Sequence, residues 1–62
     1  MDIFTRKENF ESENWYNEFC IFLNIGICKV LYEEVDDIKN ALNQMGYKNL
    51  STKKEGEYTY IY

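Results

Sequence analysis

Aromatic side chains dominate this short chain. Of its 62 residues, eleven are Tyr, Phe or Trp, and none is histidine or proline. The rings supply apolar surface for one small core, and this length allows only a single domain, residues 1–62. Histidine is the side chain that most readily transfers protons near neutral pH, so its absence argues against acid–base catalysis. We therefore expect a folded domain that recognises another macromolecule and is not an enzyme.

A domain of this size is expected to be only marginally stable by itself. The free energy gained by burying apolar surface and the entropy lost on ordering the chain nearly cancel. A homodimer, or a tight complex with a partner, would raise the apparent stability. Cys20 and Cys28 are the only cysteines, and their spacing fits neither a CxxC redox site nor a zinc site. We expect both thiols to be reduced and buried as small apolar groups.

The N-terminal residues do not form a secretory signal, because acidic side chains occur throughout the first eighteen residues. The most apolar stretch, residues 19–32, is too short to span a bilayer and is interrupted by Asn24, Gly26 and Lys29. These features predict a cytoplasmic protein that makes no membrane contact.

The first half of the chain contains apolar residues at helical spacing. Ser12 is a candidate N-cap and Gly26 lies just beyond the end of the pattern, so a helix is predicted over residues 12–24. Ile21 breaks the apolar stripe, which leaves a hairpin turning at residues 24–26 as the alternative. The residues of the stripe are Trp15, Tyr16, Phe19, Cys20, Phe22 and Leu23.

A short run of β-formers, residues 27–32, predicts a strand. It is followed by the clearest amphipathic pattern in the chain, which predicts a helix over residues 34–45. Acidic residues occupy the first turn of this helix, and Gly46 lies where a left-handed residue would end it. The apolar face of the helix consists of Val35, Ile38, Ala41, Leu42 and Met45.

The C-terminal residues 47–62 predict a β-hairpin that turns at residues 54–56, where Gly56 supplies a positive φ. Strand alternation places Tyr58, Tyr60 and Tyr62 on one face of the returning strand. Residues 3–6 also alternate and could form an edge strand or a loose terminus. The predicted fold is a small α+β domain, with helices packed on one side of a small antiparallel sheet.

Four carboxylates follow the first strand closely: Glu33, Glu34, Asp36 and Asp37. They lack the alternating ligands and turn glycine of a calcium loop, so no metal is predicted, and no motif calls for a cofactor. Acidic residues favour a helix N-terminus, which accounts for the cluster without any binding role. The alternative is that the cluster binds a basic protein surface.

The tyrosine row, Tyr58, Tyr60 and Tyr62, has two interpretations. It could cover the sheet by cross-strand packing, or it could form the anchor of an interface, where tyrosine is a frequent hot-spot residue. Charge bears on the partner, because residues 1–37 carry nine acidic and three basic side chains whereas residues 38–62 carry a net +2. The acidic half repels phosphates, so direct nucleic-acid binding is not expected. The four carboxylates and the three tyrosines are the predicted partner-binding residues.

One stretch resembles a known family. Leu42, the Gly46–Tyr47 step and the charged hairpin through Tyr60 are similar to the last helix and wing of winged-helix regulators. That resemblance implies a DNA-binding protein whose helix before the wing enters the major groove. Here that helix opens with the four carboxylates, which phosphates would repel.

The predicted function is that of a small acidic protein that binds, and thereby inhibits, a larger protein with a basic surface. In type it resembles the inhibitors that phages and mobile elements direct against host defence, including anti-CRISPR proteins, and it would then act in the host cytoplasm. The alternatives are a winged-helix-like DNA-binding regulator, or an antitoxin or accessory subunit that is stable only in its complex. The sequence leaves open the identity of the partner and the oligomeric state.

Overall fold

The computed structural model describes residues 10–62, which form two helices and a three-stranded antiparallel sheet. The elements in chain order are α1 (Tyr16–Ile25), β1 (Cys28–Leu31), a 3-10 turn (Tyr32–Glu34), α2 (Val35–Gln44), β2 (Thr52–Glu55) and β3 (Tyr58–Ile61). The strands lie in the order β1-β3-β2, so the last strand is central. The α+β class predicted from the sequence is confirmed. The alternation noted at residues 3–6 lies outside the described residues.

Helix α1 confirms the predicted helix but starts four residues later. Ser12 was predicted as the N-cap, and this is wrong, because residues 10–15 form turns and Ser12 is exposed. In these turns the Glu13 amide donates to the Phe10 carbonyl at 3.0 Å, and the Tyr16 amide donates to the Glu13 carbonyl at 3.1 Å. The turns bring the Phe10 ring to 5.4 Å from Phe19, so aromatic packing sets the position where the helix begins.

The alternative hairpin at residues 24–26 does not form. Gly26 instead ends α1 in the left-handed region with φ +82°, and its amide donates to the Phe22 carbonyl at 2.8 Å. A side chain at this φ would be strained, which is why glycine suits the position.

Helix α2 matches the predicted second helix closely, because its apolar face is strongly periodic. The chain enters it through the 3-10 turn, in which Glu34 reaches back and accepts a hydrogen bond from the Leu31 amide at 3.2 Å. Beyond the helix, the Tyr47 amide donates to the Leu42 carbonyl at 3.0 Å, which satisfies a carbonyl at the helix end.

The hairpin β2–β3 is confirmed, but it is shorter than predicted. Glu55 pairs with Tyr58, so the loop consists of Gly56, at φ +64°, and Glu57, rather than residues 54–56. The strand also begins at Thr52 and not at residue 47. Residues 47–51 are irregular because Asn49 adopts φ +58° and because the Tyr47 ring packs edge-on against Phe22 at 5.3 Å.

The core lies between the two helices and one face of β1 and β3. The side chains on this inner face of the sheet alternate with those on the opposite face, as a strand requires. Phe19, Ile38, Leu42 and Ile61 have no exposed surface. The remaining buried apolar residues are Trp15, Phe22, Cys28, Val30 and Ala41. Within residues 10–62, neither helix is long and apolar enough to cross a membrane.

Candidate functional site

The face of the sheet opposite the helices carries the tyrosine row on its central strand. This outer face is organised in rows by the strand register: Tyr60 lies between Lys29 on β1 and Lys53 on β2, and Tyr58 lies between Leu31 and Glu55. The ladder extends one step beyond β3, because Ser51 and Tyr62 exchange backbone hydrogen bonds of 2.7 and 3.0 Å. The predicted grouping of Tyr58, Tyr60 and Tyr62 on one face is therefore present.

The tyrosine rings differ in exposure. Tyr58 is 41% exposed and Tyr62 is 51% exposed, whereas Tyr60, in the middle of the row, is half-buried. The ammonium group of Lys29 lies 4.9 Å from the centre of the Tyr58 ring, within cation–π distance. The row thus has an exposed ring at each end and a half-buried ring between them.

A shallow groove follows the same face from Ile27 and Tyr62 to Glu55, beside the hairpin loop. Apolar and aromatic side chains line it beside one charge of each sign: Ile27, Lys53, Glu55, Tyr60 and Tyr62. Ile27 is itself 39% exposed. A surface of apolar and aromatic side chains with a few charged ones beside them has the composition of a protein-binding surface.

The four predicted carboxylates do not act as one unit. Glu34 is half-buried and bonded to the Leu31 amide, so it closes the strand-to-helix connection. Glu33, Asp36 and Asp37 are exposed. Asp36 and Asp37 are consecutive on α2 and therefore point about 100° apart around its axis. Asp37 lines a separate groove with Phe10 and Trp15.

Two further carboxylates belong to the same end of the sheet. Glu55 pairs with Tyr58, and Glu57 lies in the hairpin loop next to it, while Leu31 leads directly into the 3-10 turn. We call this region the acidic end and define it as Glu33, Glu34, Asp36, Glu55 and Glu57, whereas Asp37 belongs to the separate groove. The acids of the hairpin were missed as site residues because they are distant in sequence. The two-residue hairpin loop brings them to this end.

The lysines that flank Tyr60 were also missed. In the sequence, Lys29 only interrupts an apolar run, and Lys53 lies within the predicted hairpin, residues 47–62. Strand alternation alone places both on the outer face once the strand bounds are known. Both lysines flank Tyr60 in the register, and the Lys29 ammonium reaches the Tyr58 ring, so positive charge lies along the row beside the hairpin carboxylates Glu55 and Glu57.

The two cysteines are free and differ in environment: Cys28 is buried on the inner face of the sheet, and Cys20 is half-buried. Burial raises the pKa of the Cys28 thiol from 9.0 to about 12, and the negative charge of Glu18 raises it in the same direction. Glu18 lies close because it accepts a hydrogen bond from the Lys29 amide at 2.9 Å. Cys28 is therefore a structural thiol with low reactivity.

Within residues 10–62, no group of three or more cysteine, aspartate or glutamate side chains could hold a metal ion. Comparison with protein-family models, curated proteins and solved structures gave no match for this chain. The geometry of the sheet and the charges on it therefore indicate the function.

Proposed function

We propose that this protein is a small interaction domain that binds a larger protein with a basic surface and inhibits it in the cytoplasm. The observation that carries this proposal is the tyrosine row, which lies on the central strand of a sheet whose outer face is uncovered within the described residues. Such a face is well suited to a protein interface, because rings fixed on a rigid strand lose little conformational entropy on binding. The role expected is that of a counter-defence inhibitor of the kind that phages and mobile elements encode.

The acidic end supports a basic partner. It joins the tyrosine row at Tyr58, so a cationic surface that approaches this end would meet carboxylates and an exposed ring together. Exposed carboxylates at the edge of an interface mainly accelerate association and align the partner, while desolvated rings provide most of the affinity. Lys53 carries positive charge further along the row, and the Lys29 ammonium lies over the Tyr58 ring. We infer that the partner's basic groups meet the hairpin carboxylates Glu55 and Glu57 and that its apolar groups meet the rings.

The ring contribution is tested after the partner has been captured from a lysate and identified by mass spectrometry. The double variant Tyr58→Ala/Tyr62→Ala removes the two most exposed rings of the row. We expect it to weaken the partner complex at least about thirtyfold in calorimetry, as hot-spot residues do. Tyr32→Ala is the matched control, because Tyr32 is 72% exposed and its ring lies against the ammonium of Lys54, whose register partner Thr59 points to the inner face. Equal losses in both variants would reject the proposed surface.

The charge contribution is tested with a second matched pair. Glu33→Lys/Asp36→Lys reverses two exposed carboxylates of the acidic end and leaves the structural Glu34 intact. Glu11→Lys/Glu13→Lys makes the same change in net charge at two exposed positions before α1. We expect the first pair to slow association with the partner about tenfold more than the second at low salt, and the difference to shrink as salt is added.

A DNA-binding regulator is the second candidate, favoured by the β2–β3 hairpin that follows α2 and carries Lys53 and Lys54. The exposed acids in the first turn of α2 oppose it. Duplex DNA that binds at low salt, and binds more tightly to the Glu33→Lys/Asp36→Lys variant, would favour this candidate. An antitoxin or accessory subunit would instead remain unfolded until its partner is added, which circular dichroism detects.

A further inference from the structure

The two edge strands of the sheet differ in whether their outward backbone amides have hydrogen-bond partners. On β1, the amides of Lys29 and Leu31 point away from β3. Each donates to a carboxylate, Glu18 at 2.9 Å and Glu34 at 3.2 Å. These two side chains occupy the outward donors of the strand. A further strand could not pair with β1 without breaking both bonds.

Strand β2 has the opposite character. Ser51 and Tyr62 form a hydrogen-bonded pair, so the alternation of an antiparallel ladder directs residues 51, 53 and 55 toward β3. The amides and carbonyls of Thr52 and Lys54 therefore point outward. No described residue hydrogen-bonds to them, and all four residues of β2 are exposed. Within residues 10–62, β2 is the sheet edge whose outward groups are open for pairing.

A second copy of the chain is a poor occupant of this edge. In an antiparallel pair about a two-fold axis, the residue on the axis faces its own symmetry mate. The two registers that overlap β2 most are centred on Lys53 or on Lys54, so each places one lysine directly opposite another. Like charges in direct cross-strand contact destabilise a ladder. The register centred on Lys53 has no compensating pair, and in the register centred on Lys54 the cross-strand pairs of Lys53 with Glu55 only offset the Lys54 repulsion. The edge therefore favours an acidic partner strand over its own copy.

We propose that β2 accepts an extended segment of another protein that carries two adjacent acidic residues, which adds a fourth strand to the sheet. The outward groups of Thr52 and Lys54 would supply the backbone hydrogen bonds. Consecutive residues of the added strand lie on opposite faces, so one carboxylate meets Lys53 beside Tyr60 and the next meets Lys54 on the other face. This site uses the outward backbone groups of Thr52 and Lys54, and of the acidic end it shares only Glu55, the last residue of β2. It does not depend on the proposed function.

The test uses the whole chain and a six-residue peptide that has two central glutamates flanked by valine and threonine. We expect a dissociation constant of about 1 mM or tighter and slowed exchange of the Thr52 and Lys54 amides in NMR spectra. The same peptide with two lysines in place of the glutamates should bind at least about tenfold more weakly. If the glutamate peptide shows no binding at about 5 mM, the proposal is wrong, and the lysines only guard the edge.

A backbone variant separates edge pairing from simple charge attraction. Thr52→Pro removes one outward amide and retains both lysines and every hydrogen bond to β3, whereas Thr52→Ala retains the amide. We expect the first to abolish peptide binding and the second to change it less than about twofold. Equal binding by both variants would contradict strand addition.

A charge swap keeps the test decisive if Thr52→Pro does not fold. Lys53→Glu/Lys54→Glu should reverse the preference, so that the lysine peptide binds more tightly than the glutamate peptide. An unchanged preference would overturn the proposal, as would a homodimer in sedimentation that Thr52→Pro dissociates. The outer-face variants Tyr58→Ala/Tyr62→Ala should bind the peptide normally, so the two proposals can fail separately.

Discussion

The inner and outer faces of the sheet use the same strand for different purposes. On β3, Thr59 and Ile61 point inward and are buried, whereas Tyr58 and Tyr60 point outward and are more exposed. The inner face is covered by the helices, and within the described residues the outer face is not. Residues next to each other in sequence should therefore differ in what they contribute, with the inner ones stabilising the fold and the outer ones available for binding.

The largest expected effect is on the inner face. Ile61 has no exposed surface, so Ile61→Ala removes three buried carbon atoms and leaves a cavity. We expect the free energy of unfolding, measured by urea denaturation, to fall by about 3 kcal/mol, a large fraction of the stability of so small a domain. A loss under about 1 kcal/mol would show that the helices do not cover this face tightly.

The second-largest effect should be a loss of stability at high pH, caused by the buried thiol of Cys28. Because Cys28 has a pKa raised from 9.0 to about 12, the unfolded chain loses this proton at lower pH than the folded chain. Stability from this thiol is complete below pH 9 and falls as pH rises toward 12. The slope can approach about 1.4 kcal/mol per pH unit.

Urea denaturation between about pH 8 and about pH 10.5 measures this slope. Cys28→Ala is the control, since it lacks the thiol and keeps every other side chain of the protein. If both proteins lose stability equally, the titration of Cys28 is not responsible. Thiol labelling gives a second measurement, because Cys20 should react well before Cys28.

A substitution of Thr59, also on the inner face, should raise stability, whereas Ile61→Ala lowers it. The Thr59 hydroxyl is buried, and it has no hydrogen-bond partner in the part of the chain that the structure describes. Thr59→Val replaces it with an apolar group of the same shape, so we expect unfolding to require about 1 kcal/mol more. Thr52→Val, at an exposed position on β2, is the matched control and should change stability by less than about 0.5 kcal/mol. A destabilised Thr59→Val would mean that the hydroxyl has a partner.

The smallest effect on stability should come from the outer face. Tyr62 is half exposed, so Tyr62→Ala should lower the free energy of unfolding by less than about 1 kcal/mol in the same urea assay. A loss close to that of Ile61→Ala would show that both faces stabilise the fold equally. The tyrosine row would then serve to pack the sheet and would not form an interface.

Local patterns in the sequence determined most of the secondary structure. The apolar repeat at Val35, Ile38, Ala41 and Leu42 predicted α2 closely, because a helix of this kind depends on residues three and four positions apart. Alternation at Tyr58, Tyr60 and Tyr62 likewise predicted which residues of the last strand share a face. Such periodicities are properties of the backbone geometry and need no knowledge of the rest of the fold.

Tertiary structure decided the features that depend on residues far apart in the chain. The contact between Phe10 and Phe19 lies beside the start of α1 at Tyr16, and it joins residues nine positions apart. The strand order places β3 between β1 and β2, and this is what sets a lysine on each side of Tyr60. The acidic end formed only when the hairpin brought Glu55 and Glu57 to the sheet end from which α2 begins. The roles of Glu18 and Glu34 at the β1 edge were equally hidden, since a carboxylate that seals a strand is indistinguishable in sequence from one that faces water.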